Sequence, residues 1–156
     1  MPDMLVNLLK LPAIEEDITQ MRSKGIIIRR PLPHELSKIQ CFIIKHFSQA
    51  WADEILPGFV NKPVSVYIAI KEGRIIGFGA YECTHRAFFG PTGVAEDQRK
   101  QGIGSLLLKA CLNGLKEMGY AYGIIGGAGP VEFYRKSVGA VPIEDSVPGI
   151  FADPLK

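Results

Sequence analysis

Arg99-Lys100-Gln101-Gly102-Ile103-Gly104 runs directly into the longest apolar-periodic stretch of the chain. From Ile103 to Met118 apolar or small residues recur at i, i+3, i+4 and i+7, which predicts a helix ended by Gly119. The preceding stretch, Phe88 to Ala95, reads as a strand but holds Gly90, Pro91 and Gly93, so a bulge or bend is expected within it. A strand, a short glycine-bearing loop and a helix aim several unpaired backbone N–H groups at one point. The helix dipole adds partial positive charge there, and Arg99 and Lys100 add full charges. Gly102 and Gly104 clear side chains from an anion's path, and Ser105 offers one more donor. A tight turn whose glycines serve chain geometry alone is the competing reading; the Arg-Lys pair and the helix stripe favour the anion site.

Helical and extended patterns alternate on both sides of this loop. Pro12 to Lys24 carries Ile14, Ile18 and Met21 on one face, with Gly25 where a helix should stop. Ile26-Ile27-Ile28 predicts a first strand, and His34 to Phe47 a helix facing inward through Leu36, Ile39, Ile43 and Phe47. A short helix over Gln49 to Leu56 is expected to end before Pro57-Gly58. Val64 to Ile70 and Ile75 to Cys83 predict a hairpin around Lys71-Glu72-Gly73-Arg74. Downstream, Tyr122 to Ile125 predicts a strand parallel to Phe88–Ala95, reached by a right-handed crossover. Gly126-Gly127-Ala128-Gly129 ends it, and Pro130 suits the first turn of a helix over Val131 to Val138. Two short strands are expected around Ser146-Val147-Pro148-Gly149. The whole is read as one α/β (α+β) domain over 1–156, with 1–25 as an apolar extension that docks on it.

Bulk properties bound the function. The chain has 156 residues, 47% of them hydrophobic, which suits one folded domain. A net charge of +2 is too mild to argue for nucleic acid, and no apolar run reaches the ~18 residues of a membrane span. Three cysteines without pairwise or metal spacing predict reduced thiols, a cytoplasmic setting and no metal. Cys41 and Cys111 fall on apolar helical faces and are expected in the core. Cys83 lacks the His/Asp set that a covalent acyl-cysteine requires.

The anion narrows by elimination. No Walker-type G-x-x-x-x-G-K-[ST] occurs, and Leu107 takes the place of the third glycine of a dinucleotide fingerprint. No acidic residue ends the next strand to hold a ribose. What remains, R-x-x-G-x-G at 99–104, resembles the pyrophosphate loop of the GNAT superfamily of N-acetyltransferases. The order of elements from Ile26 onward is similar to that superfamily, and Glu132-Phe133-Tyr134-Arg135-Lys136 resembles its late-helix tyrosine motif. Phe89-Gly90-Pro91-Thr92-Gly93-Val94 and Gly129-Pro130-Val131-Glu132-Phe133-Tyr134 are similar to a bacterial subgroup.

The resemblance implies a GNAT fold: a mixed, mostly antiparallel sheet of six to seven strands with helices on both faces, its fourth and fifth strands parallel and splayed. It implies acetyl-CoA as co-substrate. Backbone groups of Val94 and Ala95 are to hold the pantetheine arm, and Arg99, Lys100, Gln101, Gly102, Ile103, Gly104 and Ser105 the pyrophosphate. Phe133 is to line the cofactor. The Val94 N–H is to stabilise the oxyanion, and Tyr134 to protonate the leaving thiolate; packing on an amphipathic helix is the other reading of Tyr134. Many relatives carry a carboxylate on the strand before the loop, and Arg86-Ala87-Phe88-Phe89 has none. Glu82 is therefore the first candidate base, set by strand alternation opposite Tyr81 and Cys83, with a strand-end surface role as its rival. Glu54 is the second.

Trp51 lines the acceptor pocket or fills core, and Phe59, Phe88 and Phe89 belong to the acceptor side. His85, after the same strand, either relays a proton or sits in an exposed turn. The acceptor is read as a small-molecule amine or an amino-acid-like molecule, with direct transfer in a ternary complex. A non-catalytic acyl-CoA sensor is the alternative, and a structural assembly partner a third reading. Leu5, Leu8, Leu9 and Leu11 serve a homodimer interface or cap the domain.

Overall fold

The computed structural model describes residues 1–156. Seven strands form one sheet: β1 Met4–Asn7, β2 Ile26–Arg29, β3 Val66–Lys71, β4 Arg74–Tyr81, β5 Phe88–Val94, β6 Tyr122–Ile125 and β7 Val141–Pro142, in the order β2-β3-β4-β5-β6-β1-β7. The helices are α1 Glu15–Ser23, α2 Leu36–His46, α3 Gln49–Glu54, α4 Leu56–Val60, α5 Ile103–Glu117 and α6 Val131–Val138. Every strand pair is antiparallel except β5–β6. The expected parallel pair is found; it is the fifth and sixth strands because Met4–Asn7, read as a docking extension, is itself a strand. Met4 and Val6 are fully buried while Leu5 is exposed, the alternation of a half-buried strand.

Packing on the two faces follows from strand alternation. Phe78 and Ala80 of β4 join Ile39, Phe42, Ile43, Ala52, Ile55 and Phe59 beneath α2, α3 and α4. On the other face, Gly77 and Gly79 lie against Leu107 and Cys111, which lets α5 settle close to the sheet. The β3–β4 turn is a tight two-residue one: Lys71 pairs with Arg74, and both Glu72 and Gly73 have positive φ, as a right-twisted hairpin requires.

Three expectations are corrected. The chain does not leave helix at Pro57-Gly58, because Pro57 occupies the first turn of a new helix, α4, where its missing N–H is not needed. The tail contains one two-residue strand, β7, and a single helical turn at Gly149–Phe151. Cys41 is exposed, since the buried stripe of α2 is Ile39, Phe42 and Ile43, whereas Cys111 is buried as expected.

The parallel pair decides where a site forms. Only Phe88↔Ile124 and Phe89↔Ile125 are in register, after which β5 and β6 part. Across the β4–β5 ladder the pairing jumps from Gly79↔Thr92 to Tyr81↔Phe89, so β5 carries one extra residue around Gly90 and Pro91. The expected bend is this bulge, and it opens the sheet between β5 and β6. Beyond the split the N-terminal residues occupy donors at the end of β6: Gly127 N donates to Asp3 Oδ1 at 2.8 Å and Ala128 N to the Pro2 carbonyl at 2.8 Å.

Candidate active site

The loop that opens α5 keeps its donors free. Gln98 N donates to Ala95 O and Leu106 N to Gly102 O, but the N–H groups from Lys100 to Ser105 reach no backbone carbonyl. Two left-handed residues produce this arrangement, Lys100 at φ +66° and Gly102 at φ +83°. A β-branched side chain at 102 would be strained in that conformation. Arg99 Nε donates to Val94 O at 3.1 Å, which ties the guanidinium back over the end of β5 and fixes the strand-to-loop corner.

Val94 itself faces the split. The Ala95 N–H is committed to Ile76 O on β4 at 2.9 Å, and successive N–H groups of a strand point to opposite sides. The Val94 N–H therefore points away from β4, into the gap left by β6. Gly93 is bare because the tip of the Phe47 ring presses against it: a Cβ there would stand 2.3 Å from Phe47 Cζ. Phe47 stacks in turn on Trp51 at a centroid separation of 5.4 Å, and this aromatic wall closes one side of the gap.

A cleft of about 600 Å³ extends from the loop into the split, lined by Val94, Arg99, Lys100, Gly102, Ile103, Gly104, Ser105, Trp51, Phe133 and Tyr134. Tyr134 is buried, its ring edge-on to Phe89 at 6.4 Å and to Phe133 at 5.1 Å. Burial raises its pKa above the ordinary phenol range, so the hydroxyl stays protonated through neutral pH. A second recess of about 360 Å³ shares Tyr134, Phe133, Thr92 and Trp51 with the first and continues past Gly90 and Pro91. It merges with a third, about 430 Å³, that reaches Glu54, Thr84, Phe88 and Phe151. Trp51 stands at all three, so the trough runs from the loop that opens α5 to Glu54.

Not every expected residue arrives there. Gln101 turns out of the cleft, its amide donating to Gln98 O at 2.9 Å. Glu82 is clamped elsewhere: its carboxylate accepts from the Tyr120 hydroxyl at 2.6 Å and from Ala87 N at 2.8 Å. The strand alternation that pointed it at the acceptor fails because β4 ends at Tyr81 and Glu82 adopts φ +54°. Phe59, on α4, turns into the core, while Phe88 and Phe89 do line the trough. His85 is exposed and packs on Phe88 at 5.4 Å. Burial pushes the Cys83 thiol up to about 11, which leaves almost no thiolate for covalent chemistry.

Glu54 and Trp51 share a face of α3, three residues apart. Ser48 caps that helix by accepting from Trp51 N at 3.1 Å, and Gln40 Nε2 donates to Ala52 O at 3.0 Å to hold it on α2. Thr84 Oγ1 donates to Glu54 Oε1, tying α3 to the loop between β4 and β5. Thr84, Phe47 and the tail residues Val147, Pro148 and Phe151 were not singled out by the sequence as parts of a site. Only the contact order of the folded chain brings them in. No three His, Cys, Asp or Glu side chains are grouped to hold a metal, and no helix is long and apolar enough to cross a membrane.

The split strands, the free-amide loop and the flanking tyrosine define the class. Residues 62–137 match the family model of the acetyltransferase (GNAT) domain. Over that stretch the chain is similar to the GNAT superfamily, and its seven-stranded sheet has the GNAT fold. No curated protein matches the chain. Among solved structures it is similar to the GCN5-related glucosamine N-acetyltransferase region of a fungal multi-domain GH3 β-N-acetylglucosaminidase (TM-score 0.72, 16% identity, 91% of this chain and 19% of that one). It is also similar to a GCN5-related N-acetyltransferase from Sphaerobacter thermophilus (0.67, 18%, 91% and 48%). A third is a GNAT family acetyltransferase from Brucella melitensis in complex with acetyl-CoA (0.55, 19%, 71% and 80%). At these identities the likeness is one of fold. The chain spans about a fifth of the first structure's length and about half of the second's.

Proposed function

We propose that this protein is an acetyl-CoA-dependent N-acetyltransferase that carries an acetyl group directly to a small amine within a ternary complex. The observation that carries the reading is the trough: unpaired amides with Arg99 and Lys100 at one end, the split strands and Tyr134 in the middle, and an open recess beyond. The pyrophosphate rests on the N–H groups of residues 100–105, beside the two cations. Pantetheine enters between β5 and β6, and the Val94 N–H meets the thioester oxygen as it gains charge. Tyr134 donates its proton to the sulfur as the C–S bond breaks. A phenol is protonated at neutral pH and so has a proton to give to the departing thiolate, whose ordinary pKa lies near 8.5.

The bend at Gly90-Pro91 is what makes this chemistry accessible, since a regular β5 would pair with β6 and leave no channel. A test follows thiol release from acetyl-CoA across primary amines, with direct titration of CoA alongside. Saturable CoA binding that weakens in Gly102→Val, together with amine-dependent thiol release, is the expected result. CoA binding without release by any amine would favour a sensor, the reading kept alive by the lack of a carboxylate on β5.

A further inference from the structure

The recess of about 360 Å³ beside Tyr134 carries no acidic, basic or histidine side chain. Its walls are aromatic and aliphatic, among them Phe89, Ile125 and Phe133, with glycines at 90, 127 and 129 between them. A Cβ at Gly90 or Gly127 would meet nothing within 4 Å, and one at Gly129 only Met1 Sδ, at 3.5 Å. These glycines therefore leave room open; they do not serve close packing. Thr92, shared with the donor cleft, has its hydroxyl committed to Phe78 O at 3.0 Å. Met1 brings the only formal charge among the lining residues, its α-amino group, and a positive charge attracts no cationic amine. The one carboxylate of the trough, Glu54, borders only the further recess. Such a chamber disfavours an ammonium group, which finds no anionic partner in it, and favours an alkyl chain. In the proposed binding mode the Val94 N–H holds the thioester oxygen. Thr92 lies two residues away on the same face of β5, and the recess continues from it past Pro91 to Gly90.

We infer that this recess takes the acyl chain of the donor, and that the protein transfers neutral, medium-length acyl groups, hexanoyl as the type, in preference to acetyl. The inference rests on the acetyltransferase reading for the CoA site and goes beyond it in the acyl group. A volume above about 300 Å³ is that of a pocket for a whole small molecule, whereas the acetyl group presents a single methyl. The bond changes are those of acetyl transfer. The thioester C–S bond breaks, a C–N bond forms at the same carbon, the neutral amine gives up one N–H proton and the sulfur takes one. The chain itself does not react, so no co-reactant is added. Each methylene that leaves water for the recess favours the longer donor about fourfold.

Trp51, the sole tryptophan, borders both the donor cleft and this recess, so its emission reports binding in either. It is titrated with CoA and with two unreactive thioethers, S-methyl-CoA and S-hexyl-CoA. Thiol release is followed with acetyl-, butanoyl-, hexanoyl- and octanoyl-CoA across primary amines. The inference expects S-hexyl-CoA to bind at least roughly tenfold tighter than S-methyl-CoA, and kcat/KM to be highest for a donor longer than acetyl. Gly129→Val sets a branched side chain into the open space and should lower the hexanoyl-to-acetyl ratio of kcat/KM at least roughly tenfold. Gly129→Ala, which adds one methyl, should lower it by a smaller factor, and the CoA titration should match the parent in both. Equal binding of the two thioethers, or acetyl as the best donor, overturns the inference and leaves acetyl transfer standing. A ratio unmoved by either substitution in folded protein overturns it as well. Failure to bind CoA overturns the acetyltransferase reading instead, and the CoA titration separates the two failures.

Discussion

At the scale of single residues, the site depends on a few atoms being absent or turned. Gly93 is bare so that Phe47 can lie against β5 and brace Trp51. Gly93→Ala should push the Phe47 ring off the strand, destabilise the fold by about 1–3 kcal/mol and weaken CoA binding at the same time. Chemical denaturation together with a CoA titration checks both, and an unchanged midpoint would show that the ring yields without cost. The sequence singled out Tyr134 through its motif and Trp51 and Glu54 through the family resemblance, and all three line the joined recesses. Glu82 and Cys41 were misread for local reasons. Glu82 sits one residue past the end of a strand, where a positive φ cancels alternation, and Cys41 lies just beside the buried stripe of its helix.

Among the elements, α2 shows how a helix is moored beside the site. Glu35, just before its first turn, accepts two bonds from the Arg29 guanidinium at 2.7 and 3.0 Å and a third from Leu32 N at 2.7 Å. The Arg29 hydrogen bonds hold the Glu35 carboxyl down at about 2 against a usual 4.5. Because the folded pKa is depressed, this contribution is complete above about 4.5 and disappears as pH falls through about 2. Glu35→Gln should therefore be less stable than the parent at neutral pH, the two converging between pH 4.5 and 2. Denaturation midpoints at pH 7, 4.5 and 2 measure it, and a constant difference across the series would contradict the pairing. At the other end of the donor site, Arg99→Ala removes both a cation and the tie to Val94 O. It should lower CoA affinity and flatten its dependence on salt, which titrations at two ionic strengths detect. Strong periodicity made α5, α6 and the hairpin readable. The brief β1, the helix restarting at Pro57 and the tail were not, because two- to five-residue elements are chosen by their tertiary partners rather than by local pattern.

For the whole molecule, both ends of the chain converge on the split between β5 and β6. Asp3 accepts from Gly127 N, and its own N–H donates to Ser146 Oγ at 2.9 Å, while Phe151 and Val147 border the acceptor recess. Contacts separated by more than a hundred residues thus shape the acceptor side, and this is why its lining escaped a reading made along the sequence. The stretch proposed to hold the donor is local, running from Val94 through Ser105, and its strand, loop and helix were legible for that reason. In the proposed binding mode CoA bridges β5, α5 and α6, so saturating it should stabilise the fold as a unit. At about 100 times Kd the gain is about 2.7 kcal/mol, a rise in Tm of roughly 5–11 °C for a chain of this size. Thermal melts with and without CoA test the point, and an unshifted Tm at saturation would mean that no such ligand is held.

The central claim, that Tyr134 completes an acetyl-CoA site built by the split strands and the α5 loop, is tested most directly by Tyr134→Phe. With the best amine and saturating acetyl-CoA, the variant should lose roughly 10²–10⁴-fold in kcat while its Kd for acetyl-CoA stays within about twofold of the parent. An undiminished kcat would contradict the account.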